Sequence, residues 1–422
     1  MVTGTTKFLT GKQTMNKYWL MGIGAAMLLT HGLAFSAVKS APKVMSEETK
    51  QCVKCHKKNN PGLIQMWGAS KHYGANVGCY ECHQAEPKDP DAFIHDEDKV
   101  KKHISIIVSP KDCANCHESE AAEMAKSHHA EAGKIMGSLD NLLAEVIEGD
   151  NGMKTPGFPD GISAAAVNGC WQCHGSTVKV LENGALDPAT WPNTGIGRIN
   201  PDGSHGTCAA CHSRHQFSAA QARQPENCGK CHMGPDHPQI EIYNESKHGI
   251  AYRANREKMN MDVSKWIVGE DYYAAPTCAT CHMSQTRKQP VTHDVGDRLS
   301  WNNRPPVSKK QGWVEGTMGW EERRDGMKDV CQSCHEEGWV ENWYIQYDGL
   351  VEMYNRKFGE PGVKLMKAAK PLMKGPKFSH KLDFVWFELW HHEGRRARMA
   401  ASMMGPDITH WEGTYDLGKN FY

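Results

Sequence analysis

Hydrophobic and polar positions follow three regimes along this chain. Near the start, Tyr18 to Thr30 (YWLMGIGAAMLLT) is a short apolar run, preceded by Lys7, Lys12 and Lys17 and followed by the small residues Ala34, Ser36 and Ala37. That order predicts an export signal over residues 1–37 and a mature protein outside the cytoplasm. The run is too short for a comfortable membrane span, and no other segment matches one in length or apolar purity. An uncleaved anchor is the alternative, and Met15 is an alternative start that leaves a more compact signal. From 38 to 338 no long periodicity appears. Prolines and glycines scattered through 184–238 and 289–320 predict long irregular loops. Useful runs of alternating β-branched residues are missing, so strands are few. The segment 137–169, without Cys or His, predicts a helix and loop.

Past His335 the pattern changes. Trp339, Trp343, Tyr347, Leu350, Val351 and Tyr354 recur at helical spacing, the mark of a packed helix. Pro371, Gly375 and Pro376 interrupt it. A second helix is expected from Leu382 to Met404, aromatic in its first half and arginine-rich in its second. The fold class is therefore mainly α, with a body at 38–338 and a C-terminal helical region at 339–422.

Composition sharpens the picture. Only 39% of the 422 residues are hydrophobic, and mean hydropathy is −0.62. So large a chain needs another source of core material. The 49 basic and 49 acidic residues cancel, so the strong basic footprint of a nucleic-acid partner is missing.

The sixteen cysteines supply the chemistry. They form eight pairs, each with two intervening residues and each followed at once by His. The motifs are Cys52-Val-Lys-Cys55-His56, Cys79-Tyr-Glu-Cys82-His83, Cys113-Ala-Asn-Cys116-His117 and Cys170-Trp-Gln-Cys173-His174. They continue with Cys208-Ala-Ala-Cys211-His212, Cys228-Gly-Lys-Cys231-His232, Cys278-Ala-Thr-Cys281-His282 and Cys331-Gln-Ser-Cys334-His335. Two thiols at this spacing add to the two vinyl groups of one haem, and the adjacent His reaches the iron. No cysteine is left over for a disulfide, and zinc ribbons need no His after every pair. Eight covalently attached c-type haems are the reading, and their porphyrins supply the missing core.

Of the 23 histidines, eight are these proximal ligands and His31 lies in the signal. Seven others are candidate distal ligands: His72, His103, His129, His205, His215, His248 and His293. Three of these sit in a recurring Ser-x-His pattern, at Ser70, Ser127 and Ser246, which suggests a reused ligand-bearing helix end. His205 and His215 flank the fifth motif, while His103 and His293 lie between motifs. Counting leaves enough histidines to fill every iron, so it does not by itself establish an open site. His237 stands apart, in Gly234-Pro235-Asp236-His237-Pro238. An acid beside an imidazole in a proline-held turn suits proton delivery to a bound substrate, with a capping or ligating turn residue as the alternative. Glu393-Gly-Arg395-Arg396-Ala-Arg398 is either a solvated face or a site for haem propionates or an anion.

The eight motifs, the run His232-Met-Gly-Pro-Asp-His-Pro-Gln239, and Trp390-His-His-Glu-Gly-Arg-Arg-Ala-Arg398 through Met403-Met-Gly-Pro-Asp407 together resemble the hydroxylamine oxidoreductase family over nearly the whole mature chain. The resemblance implies a helical, haem-packed, periplasmic subunit of a homotrimer, with trimer contacts in the C-terminal region. It implies one five-coordinate catalytic haem on the fourth motif, held by Cys170, Cys173 and His174, and seven bis-His haems that carry electrons. It maps the distal acid–base pair onto Asp236 and His237. It also implies a small inorganic nitrogen substrate and a redox partner, either a soluble cytochrome c or a membrane cytochrome that oxidises quinol. Two departures stand out. Members that oxidise hydroxylamine or hydrazine carry a haem-crosslinking tyrosine after Gly-Pro-Asp, and here that residue is Ile408. The chain also stops at Tyr422, where family members continue, so either this is a short form or the frame is truncated. The expectation is nitrite reduction to ammonia or hydroxylamine, with hydroxylamine oxidation, or a conduit without a substrate site, as alternatives.

Overall fold

The computed structural model describes residues 40–95, 101–137, 169–300 and 319–422. The expected export signal, nearly all of the expected 137–169 helix and loop, and the end of the 289–320 loop lie outside the described residues.

The described chain is mainly helical, built from many short helices linked by irregular segments. The first helix, Glu47–Asn59, shows why these pieces form. Ser46 caps it by accepting a hydrogen bond from Thr49 N at 3.2 Å. Glu47 and Glu48 sit in the first turn and His56, Lys57 and Lys58 in the last, so both ends complement the helix dipole. Helices Pro110–Ala114 and Cys278–His282 are only one turn long and rely on capping boxes, Ser109 with Asp112 and Thr277 with Thr280. The stretch 184–238 is largely turns and one-turn helices, as its prolines and glycines predict. The described strands are β1, Phe93–His95, and β2, Lys102–Ile104, an antiparallel pair with Ile94 opposite His103 and His95 opposite Lys102.

Apolar packing comes in small clusters. One gathers Tyr243, Tyr252, Met259, Trp266, Val268 and Tyr272, with Trp266 stacked on Tyr272 at 4.1 Å. The long helix Glu337–Tyr354 buries Val340, Tyr344, Tyr347, Val351 and Tyr354. This stripe is displaced from the one the sequence suggests. Trp339 is 44% exposed and lies flat on the His335 ring, 4.4 Å away. One helical turn after its motif, Trp339 covers the motif histidine instead of the helix core.

The second expected helix is continuous, in three parts: Lys381–Phe387, a π-helical turn Glu388–Glu393, and Gly394–Ser402. Gly413, on the following π-helical segment Thr409–Tyr415, lets that segment approach closely. A Cβ there would lie 2.6 Å from the Cα of Ala397. Ile408 is 6% exposed and packs with Ile242, Met399 and Ala400. Its N–H also donates to Glu245 Oε1 at 3.1 Å. Helix Gln239–Glu245, which directly follows the Asp236-His237 turn, is thereby fastened to the C-terminal region.

Candidate haem array and active site

A helical turn puts residues i, i+3 and i+4 on one face. Each motif therefore presents two sulfurs and an imidazole to the same side, and helices Cys79–His83, Cys170–His174 and Cys278–His282 are little more than that turn. None of the sixteen cysteines is in a disulfide, as thioether attachment requires.

The histidines supply a second test of fit. Two imidazoles on opposite sides of one iron, each bonded at about 2 Å, have ring centres about 6 Å apart. Five motif histidines face another histidine at that spacing. His56 faces His95 at 6.3 Å, His117 faces His72 at 6.2 Å, and His83 faces His215 at 6.5 Å. His232 faces His129 at 6.0 Å, and His335 faces His248 at 6.1 Å. His212 lies within electrostatic reach of His293. These facing rings fit a haem iron between them, and a bound haem would take its iron ligands from such pairs.

Ring orientation points the same way. Several imidazoles engage Nδ1 and leave Nε2 for a metal, which is how ligand histidines are usually oriented. His83 Nδ1 meets Ser105 O at 2.8 Å, and His56 Nδ1 meets Asn60 Oδ1 at 2.8 Å. His205 Nδ1 lies 3.0 Å from Glu131 and His293 Nδ1 3.5 Å from Glu123. Burial pushes His129, His212 and His282 down to about 4. These rings are therefore neutral near pH 7, as metal ligation requires.

The Ser-x-His pattern starts a helix at two of its three places and a turn at the third. Ser70 caps Lys71–Gly74 and Ser246 caps Lys247–Ala254, each accepting an N–H three residues on at 3.1 Å. Ser127 accepts the N–H of His129 at 3.1 Å. The three histidines so placed, His72, His129 and His248, are three of those facing a motif ring. His95 is the residue the sequence reading left out. It faces His56 at 6.3 Å. Adjacent residues of a strand point to opposite faces. His103 shares a face with Ile94, and His95 lies on the other face. Only strand pairing carries that information, so the sequence held no local signal for it.

The acid–base pair lies beside motifs four and six. The Cys231 thiol contacts Cys173, and His232 is in electrostatic reach of both His174 and His237. The His237 and His232 ring centres are 6.1 Å apart. Gly234 opens the turn at φ +92, a left-handed conformation that suits glycine. His237 Nδ1 lies 2.9 Å from Asp236 Oδ1, with the ring nitrogen off the ideal hydrogen-bond line. Arg395 Nη1 is 3.6 Å from Asp236 Oδ2, and His391 Nε2 is 4.0 Å from it. Burial raises the Asp236 carboxyl, but His237, His391 and Arg395 outweigh it and hold it down at about 2. The arginine-rich helix is thus partly turned inward: Arg398 is 1% exposed and lies 4.2 Å over the Tyr354 ring.

Comparison with known proteins agrees with this picture. Residues 202–355 match a multihaem cytochrome family described as seven times CxxCH, and residues 28–84 match the cytochrome c554 and c-prime family. Over 255 residues the chain is 31% identical to a protein of Kuenenia stuttgartiensis named as a probable nitrite reductase-hydroxylamine oxidoreductase fusion protein. That match covers 55% of this chain but 25% of the relative, so the chain spans about a quarter of its length. Among solved structures, a hypothetical multiheme protein superposes with a TM-score of 0.77 at 26% identity, covering 90% of this chain and 94% of the other. A reducing HAO-like protein complex of Kuenenia stuttgartiensis superposes with a TM-score of 0.57 at 18% identity, covering 89% and 83%, a likeness of fold. Motifs, facing histidines and these likenesses together make the chain a multihaem c-type cytochrome, similar over 255 residues to a probable nitrite reductase-hydroxylamine oxidoreductase fusion protein.

Proposed function

We propose that this protein is an eight-haem periplasmic oxidoreductase that reduces nitrite, to ammonia or hydroxylamine, at the site flanked by His174, Asp236 and His237. The observation that carries the reading is the Asp236–His237 pair, 2.9 Å apart and set beside motifs four and six. When bound, the haems supply stored electrons and, on the fourth motif, an open iron position. Reducing nitrite to ammonium consumes six electrons and eight protons, so a proton-handling pair beside an electron store suits the reaction. His237 is the proton donor, and the Asp236 carboxylate holds its ring through Nδ1 and supports the positive charge it carries when protonated.

Ile408 supports the reductive direction. Its aliphatic side chain forms no aryl crosslink, and it packs among Ile242, Met399 and Ala400. The facing pairs support bis-His wiring between the site and an outside donor, a soluble cytochrome c or a quinol-oxidising membrane cytochrome. The signal at 1–37, export to the periplasm and assembly as a homotrimer belong to the same proposal.

The test is a paired assay on purified holoprotein. One arm offers nitrite with a reduced viologen dye, and the other offers hydroxylamine with an oxidised acceptor. Fast nitrite consumption with weak hydroxylamine oxidation is expected. Dominant hydroxylamine oxidation would overturn the direction, and inactivity in both arms would favour a pure electron conduit.

A further inference from the structure

The Asp236 carboxylate does two jobs with its two oxygens. Oδ1 faces His237 on its own turn, and Oδ2 faces Arg395 and His391 on the C-terminal helix. These three are the charged or titratable groups that act on it most strongly. We propose that Arg395 and His391 are positioning residues that clamp Asp236, so that His237 keeps one ring orientation towards the substrate. The proposal rests on the assignment of Asp236 and His237 made above.

The helix is built for this contact. Positions 391 and 395 are one turn apart and share a face. The π-helical turn Glu388–Glu393 precedes Arg395 directly, and such turns are frequent at functional sites. His391 is 2% exposed, stacked on Phe387 at 4.3 Å and edge-on to Trp390 at 5.0 Å. Packed on these sides, its ring is stiff, and its Nε2 faces the carboxylate. The Arg395 guanidinium lies 5.8 Å over the Trp390 ring, which limits its freedom as well. On the other side, Gly234, Pro235 and Pro238 stiffen the turn. The carboxylate torsion is the freedom left in the pair, and a cation at 3.6 Å restrains it.

The experiment compares Arg395→Leu, Arg395→Lys, His391→Phe and His237→Ala as full-length holoproteins of equal haem content. Nitrite turnover is measured across pH, and crystal structures are determined. Arg395→Leu is expected to lower kcat roughly 10–100-fold with little change in KM. Its acidic limb moves to higher pH, because a carboxylate without its cation takes up a proton sooner. Arg395→Lys restores the limb. His391→Phe, which keeps the stack and removes the ring nitrogens, moves the limb the same way. In the Arg395→Leu structure the carboxylate leaves its 2.9 Å contact with His237. If that contact stays in place, or if kcat falls with no shift of the limb, the clamp is overturned while an inactive His237→Ala keeps the underlying site intact. A fully active His237→Ala would overturn the site, and the clamp with it.

Discussion

At the scale of single residues, the decisive feature is which imidazole meets which. His56 faces His95 across 6.3 Å, while His103 shares the other face of the same two-stranded ribbon with Ile94. Replacing His95 by Ala should convert one low-spin haem into a high-spin centre visible by EPR, and His103→Ala should leave the spectrum unchanged. The reverse result would make His103, and not His95, the iron ligand. The placement of the Ser-x-His histidines was legible from sequence because capping is local: a serine and the N–H it satisfies are two or three residues apart. His95 was not legible, since its direction depends on pairing between strands separated in the chain.

At the scale of elements, the C-terminal helix carries more than packing. His391, Arg395 and Arg398 turn inward, and the carboxylate that accompanies them, Glu393, is 4% exposed. Asn420 donates a hydrogen bond to Glu393 Oε1. Burial still dominates and pushes the carboxyl up from 4.5 to about 7. A carboxyl raised on folding leaves stability intact below its unfolded value and removes it as pH climbs through the folded value. The melting temperature should therefore fall between pH 5 and pH 8 more steeply in the natural protein than in Glu393→Gln, with the two close together at pH 5. Parallel curves would mean that Glu393 ionises without cost. The helix itself was legible from its aromatic and arginine pattern. Its π-helical turn and the inward direction of its cations were not, because a hydrophobicity pattern carries no signal for a charge that packs against another buried charge.

At the scale of the whole molecule, a mean hydropathy of −0.62 fits apolar clusters that stay small and separate. In the octahaem reading, porphyrins fill the space between them. Mass spectrometry of the intact holoprotein should then show eight covalently added haems, and sedimentation should show a trimer. A lower count would mean that some of the motifs remain unloaded. A monomer at micromolar concentration would separate the haem chemistry from the assembly that the family resemblance implies.

The cofactor class was settled by the sequence alone. Thioether attachment and proximal ligation need residues i, i+3 and i+4, a constraint that lives within one helical turn and is written eight times here. The mainly helical class and the Asp236-His237 candidate were likewise local. The tertiary structure decided what depends on distant segments meeting: that His95 and not His103 turns to His56, that Trp339 covers a motif histidine, and that Ile408 closes an apolar cluster. It also decided that a cationic face on residues 391–398 comes to rest on Asp236. Each of these joins parts of the chain far apart in sequence, and only folding brings the partners within ångströms.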